Sequence, residues 1–193
     1  MDPQRITAKL LLADAAGLDL ETLIPVFHGW IQRGAIDGLL IDVADYKHVP
    51  DGPGIMLIGD QADYALDIGE GGPGFQVAWK RGLEGDLTER IRVVVGALLT
   101  AAQVLAAESS LSGIDLRTDA LFVRIADRLD APNTPDTLAA IGPAITEALA
   151  SILGPGARLE QRGDSRRPFT VTVGISGGSV AELRERFAVA APA

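Results

Sequence analysis

The chain has 193 residues, of which 47% are hydrophobic and 22% charged, and its formal net charge at neutral pH is −9. This composition excludes a disordered chain, and the length fits a single domain over residues 1–193 with a sizeable core. The sequence contains no cysteine, which excludes disulfides, thiolate nucleophiles and cysteine-bound metal clusters.

The negative charge is concentrated in the first part of the chain. Residues 1–75 hold twelve acidic and four basic residues (4 − 12 = −8), whereas residues 76–193 hold fourteen and thirteen (13 − 14 = −1). Such a field opposes binding to nucleic acid and to anionic membranes. One basic cluster is interleaved with acids and is too small to reverse the field: Arg158, Arg162, Arg166 and Arg167.

Neither a membrane span nor a signal peptide is predicted. The longest apolar run, residues 93–107, is too short to cross a bilayer. The N-terminal residues MDPQRITAK lack the long apolar segment of a signal peptide. We therefore expect an acidic cytoplasmic protein that does not insert into a membrane.

Apolar periodicity predicts a strand, a helix and then several strands in the first 80 residues. The helix over residues 19–34 has Asp19 at its N-cap and ends at Gly34. The segments that follow are short apolar or alternating runs bounded by turn residues, including a glycine-rich turn at 69–74. Strands are predicted at residues 6–13, 39–45, 55–59, 63–68 and 75–80.

The second part of the chain opens with the strongest helical pattern. Asp86 and Glu89 have the spacing of a capping box, and the apolar residues behind them predict a helix over 86–109. Ser179 and Glu182 have the same spacing and predict a short last helix. The remaining predictions are a helix over 134–153 and strands at 116–125, 158–164 and 169–175.

Two stretches of the chain are similar to one another. A strand, a helix and two strands over residues 6–59 are matched in the same order over 120–175, and the two helices place Pro25 opposite Pro143 at an offset of 118 residues (143 − 25). A proline in a helix interior costs about 3 kcal/mol, so two at one offset favour an internal duplication. The alternative is that two common βαββ arrangements align by composition alone.

The predicted fold is α+β: a mostly antiparallel sheet built from two βαββ-like units, with the helices mainly on one face. Helices on one face leave the other face of the sheet without a cover. Alternation over residues 63–80 supplies apolar side chains for that face, so we expect a homodimer or another protein partner there. The residues predicted to bind the partner are Tyr64, Leu66, Phe75, Val77 and Trp79.

The loop over residues 45–54 is a second candidate for a site. It is longer than the corresponding SRRP loop of the hairpin near the C-terminus, and its two prolines limit its freedom. The loop residues singled out are Tyr46, His48 and Asp51. Since Pro, Gly and Asp also form ordinary turns, the loop is either a site or only a turn.

Chemistry centred on this loop would depend on carboxylates and imidazoles. Asp45 and His48 would pair an acid with a base, and His28 borders the apolar stripe of its helix, so these are the candidate catalytic residues. Their spacing matches no standard metal motif, and we expect no bound metal. The glycine-rich stretches 69–74 and 174–179 lack a Walker lysine, and the second lacks the dinucleotide-binding spacing, so no cofactor is expected.

The segments IPVFHGWIQ and LLIDVADYKHVPDGPG carry a resemblance to known sequences. Together with IMLIGDQADYALD and RIADRLDAPNT they resemble a family of uncharacterised bacterial proteins of about this length. The resemblance covers most of the chain and implies a stand-alone protein. It implies no activity, cofactor or catalytic residue.

Two classes of function follow from these observations. The first is a non-enzymatic binding, assembly or accessory protein. The second is a small enzyme or metal-dependent catalyst centred on the 45–54 loop. Because an enzyme of this size normally carries a recognisable nucleophile, base or cofactor signature, and the sequence carries none, the first class is favoured.

Overall fold

The described part of the chain forms one antiparallel sheet of eight strands. The computed structural model describes residues 3–14, 19–50, 52–69, 71–111 and 114–189. The strands are β1 (Ile6–Leu11), β2 (Leu40–Tyr46), β3 (Gly54–Gly59), β4 (Ala62–Asp67), β5 (Gly74–Trp79), β6 (Ala120–Ile125), β7 (Leu159–Arg162) and β8 (Phe169–Gly174). They lie in the order β2-β3-β4-β5-β1-β6-β8-β7, so β2 and β7 form the edges.

The helices cover one face of this sheet. They are α1 (Leu23–Arg33), α2 (Leu87–Ala106), α3 (Pro135–Ala148) and α4 (Val180–Val189). α1 packs on β2 and β3, α2 on β1 and β5, and α3 on β7, while α4 packs on α2. The predicted α+β architecture, with an antiparallel sheet and helices mainly on one face, is confirmed. Within the described ranges, none of the helices has the length and apolarity to cross a membrane.

Side-chain caps fix where the helices begin. At α2, the Asp86 carboxylate accepts from the Glu89 N–H at 2.9 Å, and the Glu89 carboxylate accepts from the Asp86 N–H at 2.8 Å. Ser179 and Glu182 exchange the same two hydrogen bonds, at 3.2 and 2.7 Å, before α4. Both capping boxes therefore form as predicted, and the glycine-rich stretch 174–179 leads into a self-capped helix.

The helix α1 begins later than predicted, and Pro25 accounts for the delay. A 3-10 turn at Leu20–Thr22 comes first, with the Asp19 carboxylate accepting from the Glu21 N–H at 3.0 Å. Proline has no N–H and is tolerated best in the first helical turn. Pro25 is in that turn of α1, whereas Pro143 lies inside α3. The two prolines aligned by sequence are therefore not structurally equivalent.

The strand pairing does not match the predicted duplication of residues 6–59 with 120–175. β1 is flanked by β5 and β6, and so pairs with neither β2 nor β3, whereas β6 pairs directly with β8 and β8 with β7. The similarity in the sheet is instead between β1-β5-β4 and β6-β8-β7, on either side of the β1–β6 pair. The β2–β3 hairpin is thus an addition to the first half. Alternation defines the two faces of a strand but not its neighbours, so the sequence did not identify the hairpin that pairs with β1.

The cross-strand registers separate the two faces of the sheet. Residues directly opposite in a ladder share a face, and the face under the helices carries the apolar core of β1 and β5. The other face is called the open face here, because no described helix packs on it. At its centre, β1, β5, β6 and β8 contribute Thr7, Lys9, Gln76, Phe122, Arg124 and Thr170.

Candidate functional site

The residues predicted to bind a partner lie on the face that the helices cover. Four of the five are at most 5% exposed: Tyr64, Leu66, Phe75 and Val77. Trp79 is half-buried, and its indole N–H donates to the carbonyl of Arg81 at 2.8 Å. The prediction that they form an uncovered face is wrong, because alternation shows which residues share a face but not which face the helices take.

The 45–54 loop joins β2 to β3 at the edge of the sheet. Asp45 and His48 are exposed, and the His48 ring stacks on Tyr46 with centroids 6.5 Å apart. The Asp45 carboxylate accepts from the Lys47 N–H at 2.9 Å, and this bond holds the pKa of Asp45 below its ordinary value. A carboxylate with a lowered pKa is a weak general base at neutral pH.

The residues predicted for catalysis are not gathered at a cleft. His28 is exposed on α1, and none of the clefts described below is lined by His28, Asp45 or His48. Asp51 lies outside the described residues. Among the described side chains, no three His, Asp or Glu residues are grouped so as to hold a metal ion.

The centre of the open face holds polar side chains that are buried although no described helix covers them. Lys9, Gln76 and Thr170 are 2%, 8% and 1% exposed. Buried polar groups destabilise a fold unless they are paired. With their neighbours they enclose a cavity of about 10 Å³, which is close to the least accessible volume that can hold one water molecule. The buried side-chain oxygen of Gln76 accepts no hydrogen bond from any described residue.

A buried ion pair crosses this face from β1 to β4. The Lys9 ammonium contacts the Asp67 carboxylate, and both side chains are buried. β5 lies between these strands and carries Gly74 directly opposite Asp67 and Leu11. A Cβ atom at Gly74 would lie 2.8 Å from Cε of Lys9. The glycine therefore leaves open the path by which Lys9 reaches Asp67.

The polar row is the set of side chains around that small cavity: Thr7, Lys9, Gln76, Phe122, Arg124 and Thr170. Beside it, the open face forms a cleft of about 800 Å³ over β6, β8 and β7. One wall is the β4–β5 turn, where Gly71 packs so closely on the Phe122 ring that a Cβ atom would lie 2.8 Å from it. The opposite wall is the loop 155–158. Short side chains and one aromatic ring form the floor: Ala120, Thr172, Gly174 and Phe122. Because its charged lining is mainly Arg117, Arg158 and Arg162, we call it the arginine cleft.

The three arginines differ in their partners. Arg117 donates two hydrogen bonds, at 2.7 and 3.0 Å, to the carboxylate of Asp119. This pairing raises the pKa of Arg117 and lowers that of Asp119. Arg162 donates to the Glu160 carboxylate at 2.9 Å. The side chain of Arg158 has no hydrogen bond or ion pair with a residue of the described ranges, so its guanidinium is available to a ligand.

The sequence interpretation did not identify this cleft. The signal present in the sequence is the cluster of basic residues at 158–167 within an acidic chain. Arg117 lies 41 residues before Arg158 in the chain (158 − 117 = 41). The two come together because β6, which follows Arg117, pairs with β8, and β8 pairs with β7. The cleft depends on strand order, which periodicity does not encode.

Comparison with known proteins adds no relative. No protein-family model matches the chain, and no curated protein matches it. The function is therefore argued from the geometry of the arginine cleft.

Proposed function

We propose that the protein is a non-enzymatic binding protein, of the binding, assembly or accessory class, and that its ligand site is the arginine cleft. The observation that carries the proposal is a cleft of about 800 Å³ in which guanidinium groups surround a floor with one aromatic ring. Ligand sites in proteins are concave, have volumes of about 300–1,000 Å³, and combine apolar surface with a few polar groups. The arginine cleft, at one end of the open face, has a volume in this range and combines an aromatic ring with polar groups.

The residues of the cleft favour binding over catalysis. Arginine is permanently protonated, and a threonine hydroxyl without a neighbouring base is a weak nucleophile. The carboxylate that lines the cleft, Glu160, is held by Arg162. The alternative, a small enzyme or metal-dependent catalyst centred on residues 45–54, has less support, because His28, Asp45 and His48 are exposed and line none of the clefts described.

The expected homodimer or protein partner is a separate part of the proposal. Of the residues predicted to bind it, Trp79 is the one that stays accessible. With the exposed Val93 of α2 it lines a cleft of about 320 Å³ on the helix side of the molecule. The proposed location remains the cytoplasm, where a protein without disulfides is stable.

The test is to recover the ligand and to block the cleft. Protein purified from its native host is analysed by native mass spectrometry for a bound small molecule. A Cβ atom at Gly174 meets nothing within 4 Å, so Gly174→Leu fills the floor of the cleft without backbone strain. We expect the bound mass to disappear in Gly174→Leu and to persist in Ala44→Leu, on the open face of the edge strand β2. A ligand retained equally by both variants, or none in the wild type, would refute the proposal.

A further inference from the structure

We infer that the ligand of the arginine cleft carries a carboxylate or a phosphate group, which Arg158 and Arg162 bind. This inference rests on the proposed function, since it names the chemistry of the ligand in the same cleft. It is argued from the geometry of β7, from the pairing of the arginines and from the charge of the surroundings.

Strand geometry directs both arginines into the cleft. Successive side chains of a strand alternate between its faces, so residues two apart share a face. Arg158, Glu160 and Arg162 follow this spacing along β7 and the residue before it, and all three line the cleft. Glu160 and Arg162 lie opposite Thr172 and Thr170 of β8, whose side chains also line it. The Thr170 hydroxyl is buried and donates to the Pro168 carbonyl, and the Thr172 hydroxyl accepts from Nε of Arg162 at 2.9 Å. A ligand on the floor would therefore meet the guanidinium groups of Arg158 and Arg162 from one side.

The pairing of the arginines leaves positive charge unmatched. Among the residues that the structure describes, the lining contains three guanidinium groups and one carboxylate, which is Glu160. Adding Asp119, the partner of Arg117, leaves one positive charge in excess (3 − 2 = 1), and this charge belongs to Arg158. A guanidinium presents its donors in a planar fork that matches the oxygens of carboxylate and phosphate groups. An anionic group is thus the ligand chemistry that completes the cleft.

The cleft has an excess of positive charge although the chain as a whole is negatively charged, so an anion would bind in the cleft in preference to the rest of the surface. The formal net charge is −9, so the molecule as a whole repels anions at long range. The ammonium of Lys9, at the centre of the same face, is neutralised by Asp67 and is buried. The floor of the cleft is larger than an inorganic ion requires, and the half-buried ring of Phe122 is placed to contact an apolar part of the ligand. We therefore infer an organic anion.

Three probes of similar size test the inference: phenyl phosphate, benzoate and neutral benzyl alcohol, titrated by isothermal calorimetry at low salt. We expect saturable binding of at least one anion, roughly ten-fold tighter than benzyl alcohol, because the neutral probe lacks the charge-assisted hydrogen bonds. Comparing phenyl phosphate with benzoate shows which anionic group is preferred. Affinity for the anion should fall as salt is added.

Matched variants locate the binding. We expect Arg158→Ala to weaken anion binding roughly ten-fold. Arg128→Ala makes the same charge change in an exposed turn beyond the opposite end of β6, and should have no effect. Asp119→Asn should strengthen anion binding, because it releases Arg117 from its bidentate pair. Asp130→Asn, in the same turn as Arg128, is the control for that charge change.

The outcomes separate this inference from the proposed function. Equal binding of benzyl alcohol and the anions, no anion binding at millimolar concentration, or equal effects of Arg158→Ala and Arg128→Ala would overturn the inference. If a ligand from the native host is nevertheless lost in Gly174→Leu, the cleft is a binding site for a different chemistry, and only the inference fails. If anions bind with equal affinity to Gly174→Leu, binding lies outside the cleft and the inference fails. Both fail if Gly174→Leu also retains the ligand from the native host.

Discussion

Lys9 and Asp67 meet at the centre of the open face because Gly74, on the strand between them, has no side chain. Removing two charges from water costs several kcal/mol per ion, and the attraction between them offsets this cost only while both are present. The pair therefore contributes little net stability, but removing either partner leaves the other as an uncompensated buried charge. Neither residue has a motif around it, so the sequence did not indicate the pair.

Replacing one member of the pair should destabilise the fold strongly. We expect Lys9→Met to lower the free energy of unfolding by about 3–5 kcal/mol, because Asp67 is left buried without its compensating charge. The double variant Lys9→Met with Asp67→Leu should recover most of the loss. Urea denaturation of the wild type, both single variants and the double variant measures the coupling. Additive effects of the two single changes would show that the pair does not form.

Two strand glycines on the open face offer a matched comparison. A Cβ atom at Gly74 would lie 2.4 Å from the Leu10 carbonyl oxygen and 2.8 Å from Cε of Lys9, whereas one at Gly174 would meet nothing within 4 Å. We expect Gly74→Ala to lower the free energy of unfolding by about 1–3 kcal/mol through overpacking. Gly174→Ala should change it by less than about 0.5 kcal/mol. Thermal melts of the two variants measure the difference. A Gly74→Ala protein as stable as the wild type would contradict the passage of the Lys9 side chain over Gly74 to Asp67.

At the scale of elements, features set by residues close together in the chain could be predicted from the sequence. Features set by which strands lie side by side could not. Asp86 and Glu89 make the predicted capping box, because both partners lie within one helical turn. The late start of α1 is also a local feature. It was mispredicted because the helix was placed from its apolar stripe, without using the preference of Pro25 for the first helical turn. The strand order β1-β5-β4 is not local, and the alternation in residues 63–80 gave no information about which strand lies beside β1.

The cap of α2 gives a test at this scale. Asp86→Ala removes the acceptor for the Glu89 N–H, and we expect the free energy of unfolding to fall by about 1 kcal/mol. Asp130→Ala, in an exposed turn, should leave it nearly unchanged. Chemical denaturation followed by circular dichroism measures both. A loss no larger than that of Asp130→Ala would mean that water satisfies the first turn of α2 equally well.

For the whole molecule, the decisive fact missing from the sequence was which face of the sheet the helices take. The alternating residues Tyr64, Leu66 and Val77 were correctly grouped on one face, but that face is the core. The opposite face holds the polar row and the arginine cleft, assembled from β1, β5, β6, β7 and β8. Composition indicated an acidic protein, and the basic cluster at residues 158–167 was recognised but judged only by its effect on the overall field, not as part of a local site.

Leu66→Ala distinguishes a core role from a role in association. Leu66 is fully buried, so we expect the substitution to lower the free energy of unfolding by about 2–5 kcal/mol through the cavity that it leaves. The mass measured by light scattering should equal that of the wild type, in whatever state of association the wild type has. A change of mass without loss of stability would instead show that Leu66 lies in an interface between chains.

The central β1–β6 pair also has a consequence for the newly made chain. Ile6 pairs with Ile125, so one side of β1 can be completed as soon as β5 is synthesised, whereas the other side waits for β6 (120 − 79 = 41 residues later). Until then, an apolar strand that ends in the middle of the sheet is an edge, and unpaired edges template pairing with other chains. Pairings between distant parts of a chain also form slowly. We therefore expect a chain that stalls between residues 79 and 120 to expose β1 as an unpaired edge and to aggregate more readily than the complete chain.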